Sequence, residues 1–182
     1  MSFYNHTLNW ITGELFESYF ITYFGSITII TGILFGKFGY TPNSKALLIP
    51  LLVVGIIYTA IGLSIIVSNN QRMTAYRQNF EKNNTAFIQN EKKRVEDFQF
   101  GYTISKIVAT ICFPLTLFLF WYSKNPNVMA AGIGLSLFAL SGLIVDYFSQ
   151  ERANEYYKRI VIELKLQNNP KQKTLYNKSY LP

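Results

Sequence analysis

Four runs of apolar residues constrain this chain more than any motif does: Tyr19 to Gly36, Ala46 to Ser68, Gly101 to Tyr122 and Val128 to Val145. Together they carry one charge, Lys106. A helix crossing the bilayer core needs roughly 20 mostly apolar residues. Helices of water-soluble proteins seldom stay apolar on every face for that length. The pattern predicts an all-α polytopic membrane protein with four transmembrane helices arranged as two hairpins. The expected spans are 19–36, 46–68, 101–122 and 128–148.

The 182 residues leave room for a single membrane domain and for no separate soluble enzyme module. The only cysteine, Cys112, lies in the third span and the only histidine is His6. That excludes an intrachain disulfide, a thiolate metal cluster and most imidazole-assisted nucleophilic schemes. No Gly-rich phosphate loop, Cys-x-x-Cys or His-Glu-x-x-His motif occurs. The expectation is a non-enzymatic protein with no catalytic residues, no metal and no cofactor. The first 36 residues lack a basic region ahead of the apolar run, so no signal peptide is expected.

Basic residues set the orientation. Arg72, Arg77, Lys82, Lys92, Lys93 and Arg94 lie between the second and third spans, and seven more follow the last span, from Arg152 to Lys178. The two short connections hold only Lys37, Lys45 and Lys124. The positive-inside rule then places the middle segment and both termini on the cytoplasmic side of the membrane. The net charge of +7 reads as orientation and attraction to anionic lipid. Nucleic acid is not an expected partner, because Glu81, Glu91, Glu96 and Asp97 interrupt the basic residues.

Outside the spans, Tyr4, Leu8, Ile11 and Leu15 recur at helical spacing with Trp10 beside them. That predicts an interfacial helix over 1–17 with Trp10 at headgroup level. The segment 69–100 is predicted to be a helical hairpin, the second span continuing to about Lys82 and turning at Asn83-Asn84. Thr85 is the expected N-cap of the returning helix. The fourth span is expected to continue as a helix over 149–168 until Asn169-Pro170, leaving a basic tail over 169–182. Gly39 and Pro42-Asn43 mark the first short loop, and Pro126-Asn127 the second. Pro114 is expected to kink the third span.

Lys106 and Asp146 are the two charges at membrane depth, each about a turn and a half from the same face. Charged groups there are costly, by at least ~2.5 kcal/mol on insertion scales, so they pair or face water. A gate or ion-path element, a structural pair, and two side chains snorkelling to the interface are the open readings. Small residues at four-residue spacing, Gly32 and Gly36, Ala60 and Ser64, Gly132 and Ser136, are candidate helix-packing positions. Arg72, Phe80, Phe87, Arg152, Tyr156 and Tyr157 are the candidate cytoplasmic surface.

Arg152 opens the stretch Arg152-Ala153-Asn154-Glu155-Tyr156-Tyr157, which resembles the Arg-x4-6-His motif of HEPN ribonucleases without its histidine. In this residue and in its layout the chain resembles the small accessory transmembrane proteins of Cas13b-type CRISPR loci. The resemblance implies a homo-oligomeric inner-membrane pore that supports antiviral defence, with Arg152 of interest. Without an imidazole to move a proton near neutral pH, RNA cleavage is not expected.

The functional expectation is therefore a membrane protein that associates with lipid and with copies of itself and forms or gates a pore. The alternative is a membrane-embedded immunity or adaptor protein that binds a cytoplasmic protein through Phe80, Phe87 and Val95. A small transporter would need a dimer to build a midplane site, and the spans show little polar lining at that depth.

Overall fold

A computed structural model describes residues 3–168. It contains α1 (Phe3–Phe38), α2 (Pro42–Ala46), α3 (Leu48–Lys82), α4 (Asn84–Tyr122) and α5 (Pro126–Asn168), and no strand among the described residues. The four long helices are each long and apolar enough to cross a membrane. At 1.5 Å per residue they run roughly 50 to 65 Å, whereas the bilayer core is ~30 Å thick. Each therefore extends well beyond its apolar window.

The turns follow from local chemistry. Thr41 caps α2 through a reciprocal box with Ser44, and Pro42 occupies the first helical turn. Asn83, extended at φ −157°, ψ 94°, separates α3 from α4, and its side chain accepts from the Ala86 amide at 3.0 Å. The N-cap is thus Asn83 rather than Thr85. A side-chain oxygen must sit three residues ahead of the amide it caps, and Asn83 is the residue so placed. At the other junction the Asn125 side chain accepts from the Asn127 amide at 2.9 Å, just as Pro126 starts α5. Helix α4 continues through Pro114 without interruption.

Helix α1 packs chiefly on α3, and α4 chiefly on α5, both pairs antiparallel. Phe3, the Asn83 junction and the end of α5 share one end of the molecule, here the polar end. The 39–47 and 123–125 connections share the other. In the apolar half, α1 and α3 touch backbone to backbone. A Cβ at Gly25 would lie 2.5 Å from the Thr59 nitrogen, and one at Gly55 would lie 2.7 Å from the Gly25 carbonyl oxygen. Thr22, Ser26 and Thr28 donate to the carbonyls four residues earlier, each at 2.8 Å, so their hydroxyls need no outside partner. Tyr58 donates to the Phe138 carbonyl oxygen at 2.6 Å and joins the two helix pairs.

The expected packing residues divide. Gly32 and Gly36 meet Leu48 and Leu51 of α3, and Gly132 lies under the Phe120 ring. Ser136 is half-buried, whereas Ala60 and Ser64 lie on the exposed face of α3. The seam within the chain is built instead by Gly25, Gly55 and Gly62.

The largest core is at the polar end. Phe3, Trp10, Ile11, Tyr76, Phe87, Ile88, Val95, Ala153, Tyr156 and Ile160 form one buried cluster drawn from all four long helices. Trp10 stacks on Tyr156 with centroids 5.2 Å apart, and Phe87 meets Tyr76 edge to face at 5.2 Å. This differs from the expected headgroup helix over 1–17. Helix α1 runs unbroken through that segment, and Trp10 is only 6% exposed, because Tyr156 takes the face that headgroups were expected to cover. The expected tail over 169–182 lies outside the described residues.

Candidate functional site

A buried polar network crosses the polar-end core. Glu91 of α4 lies between two tyrosines and an arginine. Arg94 donates from Nη2 at 2.6 Å and from Nε at 3.2 Å, one bond to each carboxylate oxygen. Tyr76 of α3 donates to Oε1 at 2.8 Å, and the Tyr156 hydroxyl of α5 lies 3.0 Å from Oε2. A carboxylate has about four lone-pair sites, and these four donors occupy them. The Tyr156 hydroxyl also lies 2.9 Å from Thr7 Oγ1, so α1 joins the same network.

A second carboxylate, Glu14 of α1, accepts from Asn69 Nδ2 at 3.3 Å and lies 3.7 Å from Arg94 Nη1. Arg152 of α5 pairs with Glu17, one turn along α1. Its guanidinium crosses α1 at Gly13, where a Cβ would sit 2.6 Å from Nη1. A larger residue there would make the end of the Arg152 side chain shift.

Burial sets the protonation of these groups. It pushes the Glu14 carboxyl above the usual range, against the pull of Arg94 and the Asn69 bond. It does the same to Glu17, against Arg152. Tyr76 and Tyr156 are raised by burial, with Glu91 adding to the effect, so both phenols stay protonated and able to donate. Burial opposes the charge on Arg94, but Glu91 more than offsets this and holds the guanidinium charged.

From this network a cleft of about 450 Å³ runs toward the apolar half, where α3 and α4 make few contacts. Glu14, Glu17, Asn69, Arg72, Tyr102 and Ser149 give it a polar wall, and Ile61, Ile65, Phe98 and Val145 an apolar one. Ser105 and Asp146 lie deeper and are shared with an adjoining cavity of about 250 Å³ that reaches Ala109 and Phe138. Among the described residues, Asn69 Oδ1 and Asp146 Oδ2 are buried without a hydrogen-bond partner. The arrangement can hold water or a small cation at membrane depth.

Lys106 and Asp146, read from the sequence as a pair or as side chains turned to the interface, take different hydrogen-bond partners. Lys106 donates to Gln150 Oε1 at 2.8 Å, whereas Asp146 turns into the cleft toward Ser105. Gln150 lies one turn beyond Asp146 on α5, within reach of the long lysine side chain. The expected surface residues also divide. Phe87 and Tyr156 are core, as is Val95, and Phe80 packs against them, so an aromatic docking face over 80–95 is already occupied internally. Tyr157 donates to Glu96 at 2.8 Å on the outside, and Arg72 lines the cleft. Sequence reasoning left Glu14, Glu91, Arg94 and Asn69 unassigned. Glu14 did carry a signal: an acid on the apolar stripe that runs through Ile11.

Among the described residues no group of three or more His, Cys, Asp or Glu is placed to hold a metal ion. No family model, no curated protein and no solved structure matches the chain.

Proposed function

We propose that this chain is a non-enzymatic bacterial inner-membrane protein whose copies assemble and pass or gate small ions along the α3–α4 cleft. The polar end and both termini face the cytoplasm on this reading, following the distribution of Lys and Arg. The observation that carries the proposal is the cleft itself. It connects Glu14 and Glu17 at the polar end to an unpartnered Asp146 oxygen at membrane depth. A carboxylate so placed is costly in hydrocarbon and is accommodated by water or a passing cation.

Assembly completes the path. The cleft is open on the side where α3 and α4 part, and α3 exposes Ala60 and Ser64 there as small residues against which another helix can close. The role in antiviral defence rests only on the resemblance at Arg152 and in layout.

The test joins mass and flux. Protein extracted in mild detergent is expected to run as a multimer and, in liposomes, to carry a cation flux that Asp146→Asn reduces at least several-fold. A strict monomer with no flux overturns the proposal.

A further inference from the structure

The groups along the α3–α4 cleft bear on which ion it suits. At the deep end Asp146 of α5 is half-buried and turned toward the Ser105 hydroxyl of α4. One turn toward the polar end on each helix, Tyr102 of α4 meets Ser149 of α5. Their hydroxyl oxygens lie 2.9 Å apart, and either can donate to the other. Ser149 also lies against the Glu17 carboxyl of α1, and Glu14 stands one turn further along that helix. All of these side chains line the cleft. Residues three apart share a helix face, so each helix presents its oxygens in a row.

Such a row suits a proton better than a metal ion, first because of what lies around Asp146. A metal cation leaving water needs several oxygens to replace its hydration shell. The walls beside Asp146 are otherwise Ile61, Val145, Ala109 and Phe138, and the Tyr58 hydroxyl is already given to the Phe138 carbonyl oxygen. A proton needs only one acceptor at each step. A hydroxyl or a water takes it on a lone pair and releases its own proton onward, so only O–H bonds form and break.

The second reason is that the charges around the cleft cancel. Glu14 and Glu91 share Arg94, and Arg72 also acts on Glu14. Glu17 is paired with Arg152, and Lys106 of α4 acts on Asp146. These four acids stand among four bases, which leaves no net field to concentrate metal cations. Proton exchange between neighbouring oxygens requires no such field.

We infer that the ion passing along the cleft is a proton, handed between Asp146 and the polar end through Ser105, Tyr102, Ser149 and Glu17. This rests on the ion passage proposed above and names the ion. Water bridges the gaps that the side chains leave, and a cleft of about 450 Å³ has room for several molecules at ~30 Å³ each. Burial raises both Glu14 and Glu17, which moves their proton exchange toward neutral pH.

The test uses full-length protein in liposomes that hold either a pH-sensitive or a potassium-sensitive dye. With potassium equal on both sides and valinomycin balancing charge, an imposed pH gradient is expected to collapse. With a protonophore balancing charge instead, an imposed potassium gradient is expected to hold. The pH collapse is expected to slow in deuterated water and to slow several-fold in Asp146→Asn. Tyr102→Phe, which keeps the ring and removes the relay hydroxyl, is expected to slow it less, because water can take the hydroxyl's place. Tyr122→Phe, exposed at the far end, is expected to leave it unchanged. Circular dichroism establishes that each variant retains its helices. Potassium flux that Asp146→Asn reduces would keep the ion passage and overturn the proton as its ion. A pH collapse indifferent to deuterated water, or to both Asp146→Asn and Tyr102→Phe in folded protein, would overturn it as well. Flux of neither ion would remove the ion passage itself, and this inference with it.

Discussion

The two halves of this molecule are held together by different physics. The polar end has the core of a water-soluble bundle, with large aromatic and branched side chains from four helices surrounding a fully bonded carboxylate. The apolar half has small clusters, Ile21 with Val54 and Tyr58, and Ala109 with Cys112 and Ala139. There the helices approach through glycine and return their hydroxyls to their own backbone. Lipid tails are as apolar as leucine, so burying leucine between helices gains little in a bilayer, and close backbone packing replaces it. In water the same burial is worth about 25 cal/mol per Å². One chain uses each solution where its solvent favours it.

The largest expected effect tests whether the polar end depends on its network. Glu91→Ala leaves Arg94 buried without its main counter-charge and strips an acceptor from two phenols. Loss of one partner of a buried pair costs about 3 to 5 kcal/mol. Denaturant titration followed by Trp10 fluorescence is expected to show the polar end unfolding early, while circular dichroism retains the helices of the apolar half. Simultaneous loss of both signals would erase the distinction between the halves.

Gly25→Val probes the other half. Its Cβ would meet the α3 backbone, which cannot yield as a side chain can, so α1 and α3 must separate at a cost of about 1 to 3 kcal/mol. Thermal unfolding in detergent should show the loss, with the Trp10 environment unchanged at low temperature. Tyr156→Phe is smaller, about 1 kcal/mol, because Glu91 keeps three of its four donors.

Acidity sharpens the comparison further, since the raised carboxyls described above lie at the polar end. The folded state holds protons on Glu14 and Glu17 more tightly than the unfolded chain does. Their contribution to stability is therefore greatest below the ordinary value of 4.5 and falls as pH rises through the raised values. Glu14→Gln is expected to flatten that slope in melting curves recorded from acid to neutral pH. Gly101→Ala gives the smallest effect and the opposite sign. Nothing lies within 4 Å of a Cβ at that α4 position, so alanine should stabilise the helix by about 0.5 to 1 kcal/mol.

The membrane-crossing helices were legible in the sequence because hydrocarbon demands a long apolar window and little else. The turn at Asn83 was legible within two residues because asparagine is both a poor helix interior and a good cap. The polar-end network was less legible. Glu91 and Arg94 sit among Lys92, Lys93 and Glu96, and in one dimension that run reads as a solvated face. Only the return of α5 beside α1 brings Tyr156 onto Glu91 and Trp10. How Lys106 and Asp146 turn was not legible for a related reason: matching depth on neighbouring helices does not fix which way each side chain points.

Topology offers the most direct test of the whole account, because the two ends of the bundle must lie on opposite sides of a bilayer. In a Cys112→Ser background, Gln78→Cys marks the polar end and Lys124→Cys the opposite connection. A membrane-impermeant maleimide is expected to label Lys124→Cys in intact cells and Gln78→Cys only in inverted vesicles. Labelling of both from the same side would contradict four complete crossings.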